Sequence, residues 1–182
     1  MQLRLLINRY EVERCIQSIA SALCPQVGEH TLFVVVLDGA TPFAMRVLSC
    51  LNAIASHPQH LQYAFVKVGS YGGTRPSHLP RMSVSLPADV GDMDRVVVME
   101  DIIDSGRTLS LVLDHLYKHP STDTSNITVA SLLRREGAPY IHHASVHGAE
   151  VKKGDFVVGC GLDYHGRYRM LDAVYALEGA PD

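Results

Sequence analysis

Along this chain the period of apolar and polar positions changes several times, and each change marks an element. From Glu11 to Leu23 the apolar residues Val12, Cys15, Ile16, Ile19, Ala20 and Leu23 follow i, i+3, i+4, i+7, i+8 and i+11. That spacing buries one helical face, so an amphipathic helix is predicted, with Cys15 packing rather than reacting. Pro25 and Gly28 end it. Leu32 to Leu37 is continuously apolar, as in a strand covered on both faces. Asp38-Gly39-Ala40-Thr41-Pro42 then breaks the run before a second helical spacing through Met45, Leu48, Leu51 and Ile54. Strand, glycine turn and helix in that order are the repeating unit of an α/β sheet.

The same reading continues downstream. Gln62 to Val68 alternates as a strand. Gly69 to Ser77 has the composition of a hinged loop, and Met82 to Leu86 is the returning strand of that excursion. Val96 to Met99 is another buried strand, followed by helical spacing from Leu109 to about Tyr117. Ile127 to Leu133 reads as the last buried strand, Asp172 to Leu177 as a closing one, and Glu178 to Asp182 as a frayed tail. The predicted fold is α/β: a mainly parallel sheet flanked by helices, with a small hood. Ligands of such sheets bind beyond the carboxyl ends of the strands, where Asp38, Glu100 and Arg134 fall.

Composition narrows this picture. A chain of 182 residues builds one sizeable core and is short for two. A single domain over 1–182 is therefore expected, with a core of about 30–135 and the hood made from the N-terminal stretch and about 136–182. Hydrophobic content of 47% and charged content of 19% are ordinary for a globular protein. The balance of 16 Lys+Arg against 19 Asp+Glu, a net charge of −3, offers no general basic field for nucleic acid. Cys15, Cys24, Cys50 and Cys160 form no C-x-x-C pair, which argues against a metal cluster or a disulfide framework and fits a reducing cytosol. The first ten residues carry too short an apolar run for a secretory signal, and no window approaches a membrane span. A cytoplasmic protein with no membrane partner is expected.

Candidate chemistry concentrates between Val96 and Leu109. After the apolar run come the adjacent acids Glu100 and Asp101, then Ile102 and Ile103, a third acid Asp104, and the small polar loop Ser105-Gly106-Arg107-Thr108 before Leu109. The loop sits where a strand hands over to a helix, whose first N–H groups are unpaired and carry partial positive charge, so it can hold a phosphate. Gly106 permits close approach, and the Ser105 and Thr108 hydroxyls and the Arg107 guanidinium are natural phosphate donors. Three acids beside that cradle suit a cation-assisted phosphorylated sugar whose hydroxyls need acceptors. Neither a Gly-x-Gly-x-x-Gly turn nor a Gly-x-x-x-x-Gly-Lys-Ser/Thr loop is present. His142, His143 and His147 lack the spacing of known histidine metal motifs and read as an exposed hood or loop segment.

Glu100 to Leu109 resembles the phosphoribosyl-pyrophosphate motif of the type I phosphoribosyltransferases, closest to the hypoxanthine-guanine branch. A second stretch, Asp155-Phe156-Val157-Val158-Gly159-Cys160-Gly161-Leu162-Asp163-Tyr164 with Arg167-Tyr168-Arg169, resembles the purine-binding hood of the same branch. The resemblance implies purine salvage: a 5-phosphoribosyl group passes from phosphoribosyl pyrophosphate to a 6-oxopurine such as hypoxanthine or guanine, and pyrophosphate leaves. Glu100 and Asp101 would hold ribose hydroxyls and Mg2+, Ser105 to Leu109 the 5′-phosphate, and Asp104 would take the N7 proton of the base or stabilise positive charge as the bond breaks. Leu37, Asp38 and Gly39 would form the pyrophosphate loop, although Asp38 stands where the family commonly has Lys. Ser70 and Tyr71 match the start of the family's closing loop. Arg134 occupies the position of a Lys that reads the purine carbonyl. Phe156 would stack on the base, Val157 offer main-chain contacts, Asp163 bind Mg2+ through water and Arg169 touch pyrophosphate. Homo-oligomers, dimers or tetramers, are common in the family. Two other readings stay open: a nucleotide-binding regulator without turnover, which Asp38 and Arg134 keep alive, and a nucleic-acid-binding regulator on the same fold, which the charge balance disfavours.

Overall fold

The computed structural model describes residues 1–55, 61–69, 81–84, 90, 93–118 and 123–179. After β1 (Gln2–Ile7), Asn8 caps α1 (Arg9–Leu23) by accepting from the Tyr10 and Glu11 amides, while the Glu11 carboxylate accepts from the Asn8 amide. This reciprocal pair satisfies N–H groups that a helix start leaves open. The face carrying Val12, Ile16, Ile19, Ala20 and Leu23 is buried, as its spacing demands. The strand β2 (Thr31–Leu37) leads into α2 (Thr41–Ile54), with Pro42 in the first turn, where its missing N–H costs nothing.

The main sheet continues with β3 (Gln62–Gly69), β4 (Arg81–Val84), β5 (Arg95–Ile103), β6 (Ile127–Arg135) and β7 (Ala144–Val151), and α3 (Arg107–Tyr117) follows β5. Its order is β4-β3-β2-β5-β6-β7, parallel except for β4, which runs antiparallel to β3. Residues Leu32 to Val36 and Val96 to Met99 are buried because helices cover both faces. A second, antiparallel sheet joins β1 to β9 (Val174–Glu178) and β9 to β8 (Val157–Val158), bringing the N-terminal stretch and the C-terminal third together as the expected hood.

Three differences from the sequence reading matter for function. First, β5 does not end at Met99; it runs on through Glu100, Asp101 and Ile103, so the acids alternate in a strand instead of crowding a turn. Second, β6 likewise extends through Arg134 and Arg135. Third, residues 144–151 are not hood but β7, the largely exposed edge of the main sheet beyond the buried β6. Ala144-Ser145-Val146-His147-Gly148 carries little β-branched signal; α1 covers one of its faces, and a Cβ at Gly148 would stand 2.7 Å from the Cys15 Cβ. Cys15 therefore packs, and all four cysteines are free. Among the described residues no helix is long and apolar enough to cross a membrane.

Candidate functional site

The site is built at the carboxyl ends of β2, β5 and β6. Glu100 and Asp101 are consecutive near the carboxyl end of β5, close enough for the Asp101 charge to act on Glu100. Glu100 is only 7% exposed, its Oε2 has no hydrogen-bond partner, and its pKa is pushed up to about 8 by burial and then by the neighbouring Asp101 charge. Asp101 is also raised, chiefly by burial; the Ile102 amide, which donates to Oδ1 at 2.8 Å, and the nearby Arg169 charge oppose the shift. A buried carboxylate without a partner is costly, so this pair is prepared for a cation or for hydroxyl donors. Among the described residues no group of three or more His, Cys, Asp or Glu could hold a metal ion alone. Carboxylate oxygens are the donors that a divalent cation such as magnesium takes alongside substrate oxygens, so the acid pair fits such an ion by its chemistry.

Asp104, Ser105 and Gly106 form the turn into α3. Gly106 has φ +73°, a left-handed conformation that side chains with a Cβ rarely adopt, and a Cβ there would stand 2.9 Å from the Pro139 Cγ. No side chain caps α3. Its first N–H groups, from Arg107 onward, are left for an anion. Leu109 contributes only backbone, since its side chain lies in the core. Asp104 does not stand free: its Oδ1 lies 2.9 Å from Nε of Arg135, a residue not singled out in the sequence.

The loop after β2 begins with a cis Leu37–Asp38 peptide bond. Gly39 is required by space: a Cβ would lie 1.8 Å from the Asp101 Oδ2. On its other side Gly161 backs onto the Gly39 carbonyl, where a Cβ would have only 1.9 Å. The loop is thus held between the acid strand and the hood. Asp38 pairs with Lys67 of β3 at 3.4 Å, both half-exposed, so a cation does stand beside this loop, on the neighbouring strand. No local sequence signal links the two; parallel register, with Leu37 opposite Lys67, does. Ser70 and Tyr71 lie outside the described residues.

Arg134 donates from one guanidinium nitrogen to the Ala138 and Pro139 carbonyls, both at 3.0 Å, which ties it to its own turn. In the hood, Phe156 is 40% exposed and meets Tyr164 edge-on, leaving a ring face to offer. The Val157 side chain is buried. Asp163 forms an ion pair with Arg169 at 2.8 Å, and a second Arg169 nitrogen donates to the Gly161 carbonyl at 2.5 Å. His142 and His143 line a cleft of about 300 Å³ between α3 and residues 139–143, while His147 sits in β7.

A family profile described as the phosphoribosyl transferase domain matches residues 8–165. The bifunctional protein TilS/HprT of Listeria monocytogenes serotype 4b is 34% identical over 177 residues, covering 96% of this chain but 26% of the relative, so the chain spans about a quarter of that protein. The hypoxanthine-guanine phosphoribosyltransferase of Mycobacterium avium is 36% identical over 155 residues, 84% of this chain and 71% of the relative. A crystal structure of a hypoxanthine-guanine phosphoribosyltransferase from Bacillus anthracis superposes with a TM-score of 0.76 at 22% identity, covering 97% of this chain and 99% of the other.

Proposed function

Because this chain belongs to the phosphoribosyl transferase family, on its hypoxanthine-guanine branch, we propose that it transfers a 5-phosphoribosyl group from phosphoribosyl pyrophosphate to a ring nitrogen of a 6-oxopurine and releases pyrophosphate. The observation that carries this reading is one continuous strand-to-helix unit. It offers a buried acid without a partner, Glu100, and then, within one turn, the uncapped N-terminus of α3. A sugar phosphate with vicinal hydroxyls needs both kinds of group, acceptors for its hydroxyls and donors for its phosphate.

In this reading the α3 amides with Ser105, Gly106, Arg107 and Thr108 hold the 5′-phosphate, and Glu100 and Asp101 accept from the ribose hydroxyls. Glu100, Asp101 and Asp163 would hold Mg2+, which when bound would supply positive charge against the leaving diphosphate. Leu37, Asp38 and Gly39 present backbone to that diphosphate, with Lys67 and Arg169 as the nearby cations. Phe156 stacks on the purine, Val157 supplies main-chain contacts, and Arg134 donates toward the purine carbonyl once it leaves the Pro139 carbonyl. The bond from the sugar carbon to diphosphate breaks with its electron pair on the leaving oxygen, the ring nitrogen bonds to that carbon, and Asp104 takes the proton the base gives up. The same proposal carries a cytoplasmic homo-oligomer, a dimer or tetramer, which sedimentation would read directly.

The test is pyrophosphate release from phosphoribosyl pyrophosphate and Mg2+ with hypoxanthine, guanine, xanthine and adenine in parallel. Turnover with a 6-oxopurine and none with adenine is expected. The engagement of Asp38 with Lys67 and of Arg134 with its own turn favours a second reading, a nucleotide-binding regulator without turnover. Silence with all four bases and retained nucleotide binding would select it.

A further inference from the structure

We propose that Arg135 is a positioning residue for Asp104 and links that carboxylate to the arrival of the hood on the purine; the inference rests on the role given to Asp104 above. Arg135 is the last residue of β6, and its side chain is only 14% exposed. Nε meets the Asp104 Oδ1 at 2.9 Å, while another nitrogen of the same guanidinium donates to the Lys152 carbonyl at 3.0 Å and the Asp155 carbonyl at 2.9 Å. A guanidinium is planar and its nitrogens are fixed relative to one another, so the two hydrogen bonds set its orientation and the ion pair sets where the carboxylate beside it stands.

Those two carbonyls belong to the turn that delivers Phe156 and Val157. The turn is anchored again from the other side: the Asp155 carboxylate accepts from Arg4 of β1 at 2.7 Å, and Arg4 also donates to Glu178 of β9 at 2.9 Å. The Phe156 carbonyl accepts from the Leu177 amide at 2.8 Å. A continuous set of directed contacts therefore runs from the hood sheet through Asp155 and Arg135 to Asp104. Were Asp104 unsupported, it would sit half-exposed on a turn with nothing to hold its rotamer. Its neighbour Arg134 faces the other side of the strand and serves its own turn, so the two arginines divide their work by the pleat.

The test is a double-mutant comparison of the single-turnover rate, with the donor KM and thermal midpoint read alongside. Asp104→Asn alone establishes the base role. Arg135→Gln is expected to lower the single-turnover rate about 10- to 100-fold in the native background, the scale of a misplaced catalytic group. In the Asp104→Asn background it should change the rate by less than about twofold, because it acts through that carboxylate. The donor KM should stay within about threefold. Equal losses in both backgrounds, or no loss in the native one, overturn the positioning role while leaving the proposed reaction intact. Unchanged turnover in Asp104→Asn sinks the base assignment itself and the inference with it. Should Arg135→Gln fail to fold, Arg135→Lys, which keeps the charge but not the fork, is read by the same comparison.

Discussion

The charge state of one side chain, Glu100, sets a measurable property of the ligand-free protein. Its pKa is raised by burial to about 8, so the folded state keeps a proton that the unfolded chain releases near the ordinary value. Its stabilising contribution is full below about pH 4.5 and is lost as pH rises through about 8. Without divalent cation, the thermal midpoint is expected to fall across that window, and Glu100→Gln should flatten the fall. An unchanged slope in the variant would assign it to other groups. Asp104 is tested by turnover: Asp104→Asn should reduce kcat by about 10² to 10⁴, the usual range for a positioned base, with donor binding less affected. At this scale the sequence was most informative for Glu100, Asp101 and Asp104, whose order is dense enough to carry a meaning. It was silent on Arg135, because an arginine pair at a strand end says nothing about which distant residues each member meets.

The next scale is the strand-to-helix unit and its neighbours. Gly106 in Gly106→Ala would place a Cβ in left-handed backbone and 2.9 Å from Pro139. A loss of about 1–2 kcal/mol in denaturant unfolding is expected from the backbone alone, with a raised donor KM as the phosphate cradle shifts. A variant that binds donor like the native chain would remove the α3 N-terminus from the site. Lys67 answers for the acid at position 38. Lys67→Met should raise the donor KM about two- to fivefold, the scale of an exposed ion pair, and the difference should shrink at high salt. Elements were legible where periodicity was strong: α1, β2 and α3 lie within a few residues of their predicted bounds. The edge strand β7 was not, because it is covered on one face only and its apolar alternation is diluted by Gly148 and His147.

For the whole molecule the deciding feature is how the hood meets the core. Gly39 lies between Asp101 of β5 and Gly161 of the hood, so Gly39→Ala is expected to cost about 1–3 kcal/mol by overpacking and to impair the donor site together with stability. A fully stable, fully active variant would mean that this three-layer contact opens freely in solution. What the sequence determined by itself is the α/β class, the buried apolar strands and the buried faces of the helices, because each is written in local period and residue order. Only the tertiary structure decided that Lys67 stands beside Asp38, that Arg134 serves its own turn, and that Arg135 joins Asp104 to the hood. Those pairings depend on strand register, on the side of the pleat and on contacts between residues far apart in sequence, none of which leaves a local mark.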